Sequence, residues 1–98
     1  MEGIKRAKMI TQVAIKIIGQ GSEVIISLPR PNRHHHIIHN YYKNTGGRSF
    51  PDHNEQGFLD QDGKFYTRKQ AFQHAFDNNQ ILDVDKTRLG MLFSEDVW

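Results

Sequence analysis

The sequence contains no cysteine. That excludes disulfide bridges and thiolate metal sites, and it fits a reducing compartment. No apolar run approaches the length that spans a bilayer. The first eight residues, Met1 to Lys8, lack the apolar core of a signal peptide and read as a flexible basic arm. Excess charge of one sign is also missing. Thirteen Lys and Arg against 11 Asp and Glu leave a formal charge of +2 and a pI near 9.0. This is mildly basic and well short of the footprint of an extended nucleic-acid binder. There are no internal repeats and no low-complexity stretch. These absences leave a soluble, cytoplasmic chain of 98 residues forming one domain around a single modest core.

The patterning predicts an α+β fold. Val13, Ile15 and Ile17 alternate as in a strand with one buried face, and Glu23 to Leu28 reads as a second strand. Gly19-Gln20-Gly21-Ser22 is too short for a parallel crossover, so the two form an antiparallel hairpin. Pro29 and Pro31 end it. With Asn32 as N-cap, a helix is predicted over Arg33 to Asn44, stopped by Gly46 and Gly47. Arg48 to Glu55 reads as a loop. A second hairpin turns at Asp62-Gly63 between Gly57-Phe58-Leu59-Asp60 and Lys64-Phe65-Tyr66. Thr67-Arg68-Lys69-Gln70 has capping-box form and opens a helix to about Asn78, with Ala71, Phe72, Ala75 and Phe76 as its apolar face. The expected architecture is ββαββα: a small antiparallel sheet of two hairpins, two helices, and a C-terminal tail in which Met91, Leu92 and Phe93 are buried.

Four of the six histidines fall between Arg33 and His39. Helical geometry sorts them. Ile37, Ile38 and Tyr41 set the core face of the first helix, with Tyr42 at its edge. His34 points inward, His35 and His39 stack on the flank, and His36 points more nearly outward. Arg68 shares the apolar face of the second helix and needs an acceptor there. Helices crossing the sheet in one sense would bring His34 and Arg68 together.

Three chemistries fit. In the first, His35 and His39 hold a metal at i and i+4 spacing, with a third ligand from His53, His74 or an aspartate. In the second, His34 and His35 are acid–base residues while Arg33 and Arg68 bind phosphate, as metal-independent phosphodiester cleavage requires. In the third the residues are structural: His34 is a satisfied core histidine and Arg68 pairs with Asp60 or Asp62. Among the aromatics, Phe58, Phe65, Phe72 and Phe76 read as core. Tyr42 and Tyr66 sit at edges and are candidate base-stacking platforms.

Ser27-Leu28-Pro29-Arg30-Pro31 leading into Arg33-His34-His35, then Gly57-Phe58-Leu59 and Asp62-Gly63-Lys64-Phe65, form a specific pattern. It continues through Arg68, Ala71, Asn79-Gln80 and Leu92-Phe93-Ser94-Glu95-Asp96-Val97-Trp98. In these features the chain resembles a family of short bacteriophage and prophage proteins. The resemblance implies work inside an infected bacterium, by host takeover or counter-defence. Joined to the His/Arg cluster, it gives the leading expectation: a counter-defence protein that binds or cleaves a nucleotide or cyclic oligonucleotide immune signal, with no cofactor. The alternative is a non-catalytic protein that inhibits a host protein or binds nucleic acid. The apolar Val97-Trp98 ending and the uncovered sheet edges point to a homo-oligomer, a dimer first, with the tail at or near the interface.

Overall fold

The computed structural model describes residues 9–19, 21–87 and 90–98. The arm expected before Met9 lies outside them. The elements follow in the order β1 (Ile10–Gly19), β2 (Ser22–Pro29), α1 (His34–Asn44), β3 (Asn54–Asp60), β4 (Phe65–Thr67) and α2 (Arg68–Asp77), as predicted. Short 3₁₀ turns cover Val84–Lys86 and Ser94–Asp96. The strands make one antiparallel sheet in the order β2-β1-β3-β4. β3 begins inside the segment read as a loop, because Asn54 pairs with Ile17 and Gln56 with Ile15.

Both helices and the tail cover one face of this sheet. Val13, Ile15 and Phe58 project from the strands to meet Ile37 of α1, Ala71 and Ala75 of α2, and Leu92 and Val97 of the tail. Full burial of a side chain such as Ile15 or Leu92 contributes about 2 kcal/mol. Three of the apolar residues assigned to the core lie elsewhere. Ile38 is 37 % exposed, since Ile37, Tyr41 and His34 define the inward arc and Ile38 falls at its margin. Phe76 is 48 % exposed at the end of α2. Phe65 pairs with Leu59, one position out of phase with Phe58, and so packs half-buried on the second sheet face. There the Lys16 ammonium lies 4.6 Å from its ring centroid.

Phe65 also explains Gly57. A Cβ on residue 57 would meet the Phe65 ring at 2.7 Å and collide with the Tyr66 carbonyl. At the end of α2, Asn79 takes a positive φ of 56°. Its N–H reaches the Phe76 carbonyl at 3.2 Å, and the Gln80 N–H reaches that of Ala75 at 2.8 Å. This closes the helix in a Schellman arrangement, with asparagine where glycine is usual. Gln80 is thereby turned into the core. Its side chain accepts from the Ile10 N–H (2.9 Å) and donates to the Ile10 carbonyl (2.6 Å), acting as a one-residue strand partner.

Candidate functional site

The histidine cluster opens α1, but not through the predicted cap. Arg33 occupies the N-cap position with extended backbone. Asn32 instead donates its side-chain amide to the Pro29 carbonyl (2.8 Å). The Arg33 N–H is accepted by Nδ1 of His36 at 2.8 Å. A histidine thus performs the task usually given to Glu or Gln at the third helical position. It also draws His36 inward to a half-buried position rather than leaving it outward.

His34, the first residue of α1, is buried as predicted. Its Nε2 lies 2.7 Å from the Gly57 carbonyl and its ring meets Phe58 edge-on at 5.0 Å. A carbonyl only accepts, so this bond fixes the proton on Nε2. Burial lowers the pKa of His34 to about 4, and the nearby Arg68 charge acts in the same direction against the Gly57 hydrogen bond and Glu95. At pH 7 the protonated fraction is therefore about one in a thousand.

Arg68 opens α2 behind a complete capping box. Thr67 Oγ1 accepts from the Gln70 N–H (3.2 Å) and Gln70 Oε1 from the Thr67 N–H (3.0 Å). Its guanidinium donates to the Leu92 carbonyl at 2.7 Å and to Gln56 Oε1, and lies 4.3 Å from the Phe93 ring centroid. Neither Asp60 nor Asp62 is its partner. Asp60 serves the β3–β4 turn: Oδ1 accepts from the N–H groups of Asp62 (2.8 Å) and Lys64 (3.0 Å), and Oδ2 from the Tyr66 hydroxyl (3.0 Å). Burial alone would raise the Asp60 pKa, but these bonds outweigh it and hold it below the usual carboxylate value. Burial lowers the pKa of Arg68, opposed by Glu95 and Asp96.

The tail closes this junction. Arg33 donates to the main-chain oxygen of Trp98 (2.9 Å) and lies 3.7 Å from Glu95. Trp98 donates its indole N–H to the Asn32 carbonyl (2.8 Å) and sets its ring edge-on to Phe58 at 6.1 Å. The aromatic end, expected at or near a dimer interface, is docked on its own domain. Asp96 is buried, with Oδ2 accepting from the Phe93 N–H at 2.9 Å.

Of the sequence-derived site, Arg33, His34 and Arg68 do converge, with Glu95 near all three. Each already makes a hydrogen bond within the chain: Arg33 to Trp98, His34 to Gly57, and Arg68 to Leu92 and Gln56. The junction is a polar network suited to holding α1, α2 and the tail in register, with Arg68 also at the edge of open space. His35 does not join it. It is exposed, with its ring 4.1 Å from that of His36. His35, Ile38, His39 and Tyr42 form one outward stripe of α1, with Tyr42 56 % exposed. Tyr66, the other candidate platform, is half-buried and contacts the His74 ring (4.6 Å) and the Lys64 ammonium (5.3 Å). Among the described residues no group of three or more His, Asp or Glu side chains is placed to hold a metal ion. No helix is long and apolar enough to cross a membrane among them.

One open cleft lies beside the junction. A cleft of about 440 Å³ runs between β3 and the start of α2, lined by Asn54, Glu55, Gln56, Thr67, Arg68, Lys69 and Met91. Sequence reasoning found Arg68 here but missed Gln56 and Lys69. Gln80 was named only as part of the family pattern Asn79-Gln80, and its bonds to Ile10 were missed. The turn role of Asp60 was missed as well, since it was offered only as an acceptor for Arg68; its place two residues before Asp62-Gly63, the donor-collecting position of an Asx turn, is the signal that could have found it.

No curated protein and no solved structure matches the chain. A family model does, across residues 9–98, and those residues include every feature on which the resemblance rests. The chain belongs to the Phage T4 y16D protein family.

Proposed function

We propose that this phage protein works by binding rather than cleaving, and that its ligand is a nucleotide-type anion held in the cleft between β3 and α2. The observation that carries this reading is the lining of that cleft. Arg68 and Lys69 stand at the start of a helix, beside Thr67 and the side-chain amides of Asn54 and Gln56. Cations and helix N–H groups suit phosphate, while amides suit the donor and acceptor edges of a base. The volume is in the range of small-ligand sites. Glu55 sits at the same cleft and disfavours a multiply charged ligand near it. Binding is preferred over hydrolysis because His34 is a weak base with its Nε2 proton committed to Gly57. Membership in a phage family supports a counter-defence role in the host cytoplasm, through sequestration of a cyclic or linear nucleotide signal.

The test is a screen of such nucleotides, reading thermal shift and product formation together. The expected result is a raised melting temperature for one nucleotide class without product, lost in Lys69→Glu. A nucleotide hydrolysed with turnover, or no shift with any nucleotide, would overturn the proposal. A second reading, inhibition of a host protein, is favoured by the outward stripe of α1, where Ile38 and Tyr42 expose apolar surface between His35 and His39.

A further inference from the structure

The sheet has two edges, and they differ in protection. β4 is three residues long, and a short edge offers little to a pairing strand. β2 is eight residues long and carries no lysine, no bulge and no proline before Pro29. The only irregularity among the described pairings lies at the other side of β1, between Ile10 and Gln12.

Backbone geometry fixes which groups of β2 face outward. The Arg30 N–H donates to the Thr11 carbonyl at 3.0 Å, in register with the β1–β2 ladder. Bonded positions recur every second residue, so Leu28, Ile26, Val24 and Ser22 face β1. Glu23, Ile25, Ser27 and Pro29 turn their main-chain groups away from it. Proline has no N–H, and the Pro29 carbonyl is taken by the Asn32 main chain (3.1 Å) and side chain (2.8 Å). The outward main-chain groups of Glu23, Ile25 and Ser27 are left facing no further strand among the described residues. Apolar side chains flank them on both faces. Val24 is 54 % and Ile25 42 % exposed. Ile26 and Leu28 line a cavity of about 200 Å³ with Ile37 and Tyr41 of α1.

We infer that a second copy of this chain closes the edge, β2 pairing antiparallel with its twin about a two-fold axis at Ile25. The segment is self-complementary in that register. Ile25 pairs with itself and Glu23 with Ser27 of the second copy, so all three free N–H and carbonyl pairs are used. On one face Ile25 packs on its twin. On the helix face Val24 stands opposite Ile26 of the second copy, at the mouth of its apolar cavity. Other registers are worse. An axis nearer the turn sets Glu23 against Ile25 or against another Glu23, and like charges directly opposite are destabilising. An axis nearer Pro29 puts a residue without an N–H at a bonded position. The two four-stranded sheets become one, and the ligand clefts beyond β3 lie on its outer flanks. This places the dimer contact at β2 rather than at the Ser94–Trp98 tail, and it stands independently of the ligand reading.

The chain has no cysteine, so a single introduced thiol reports the register. Paired residues at a bonded antiparallel site have Cα atoms about 5.5 Å apart, within disulfide range. Under mild oxidation Ile25→Cys is expected to form a covalent dimer quantitatively. Glu23→Cys and Ser27→Cys, each about 14 Å from its own twin, should cross-link only when mixed. Ile18→Cys, exposed on β1, is the collision control. By sedimentation, the unmodified chain should run at twice its 11.4 kDa and Ile25→Lys at the monomer mass with unchanged circular dichroism. A monomer at every concentration overturns the inference. So does a dimer that survives Ile25→Lys, or cross-linking of Ile25→Cys no faster than that of Ile18→Cys.

Discussion

At the helix starts, Arg33, His34 and Arg68 all find partners within the chain: Trp98, Gly57, Gln56 and Leu92. Along the outer margin of β2, the main-chain groups of Glu23, Ile25 and Ser27 face no further strand among the described residues, and Val24 and Ile25 stay exposed. The first region carries the residue types that suggest catalysis, and the second carries none. Yet reactivity needs an open, poised group, and the His34 ring is buried with its Nε2 proton committed to Gly57. A residue's type says what it can do. Its partners say what is left for it to do.

The junction and the edge should respond to mutation in opposite ways. The largest effect is expected at Gly57→Ala, which drives a Cβ into the Phe65 ring and the Tyr66 carbonyl. A loss of about 3 kcal/mol or more in denaturant unfolding is expected. Trp98→Ala removes the edge contact with Phe58 and the bond to the Asn32 carbonyl, and should cost about 2–3 kcal/mol. An unchanged unfolding midpoint for Trp98→Ala would show that the tail is not a structural strap.

A smaller effect follows from His34 and depends on pH. Its folded pKa, about 4, lies below the ordinary histidine value of 6.5. Between those values the unfolded chain binds a proton that the folded chain refuses, so stability rises with pH. Lowering the pH from 6.5 towards 4 should therefore remove stability, at up to about 1.4 kcal/mol per unit. His34→Gln should flatten that slope while keeping a donor for Gly57. At the β2 edge the expected change is smallest: Ile25→Lys alters an exposed side chain and should shift monomer stability by no more than about 0.5 kcal/mol.

The element order was legible because alternation in β1, Asp62-Gly63 and the Thr67–Gln70 box are local signals, and each is satisfied in the fold. The inward turn of His34 was legible from helical phase. A satisfied core histidine was one of the three readings, but its partner was not legible, because the Gly57 carbonyl belongs to a distant strand. Arg68 was rightly marked as needing an acceptor. The choice of Leu92 and Gln56 over Asp60 depended on the tail's path and on strand register. Ile38 and Phe65 were misplaced for the same kind of reason: a single position of phase separates core from surface.

The central claim, that the histidine–arginine junction is a structural network rather than a catalytic pair, rests most directly on His34. Its ring can be followed by nuclear magnetic resonance across an acid titration of the folded protein. The account predicts a neutral imidazole with the proton on Nε2 throughout the neutral range, protonating only near pH 4. Titration of His34 near its ordinary value, about 6.5, with the proton free to leave Nε2, would contradict it and return this residue to the role of an acid–base catalyst.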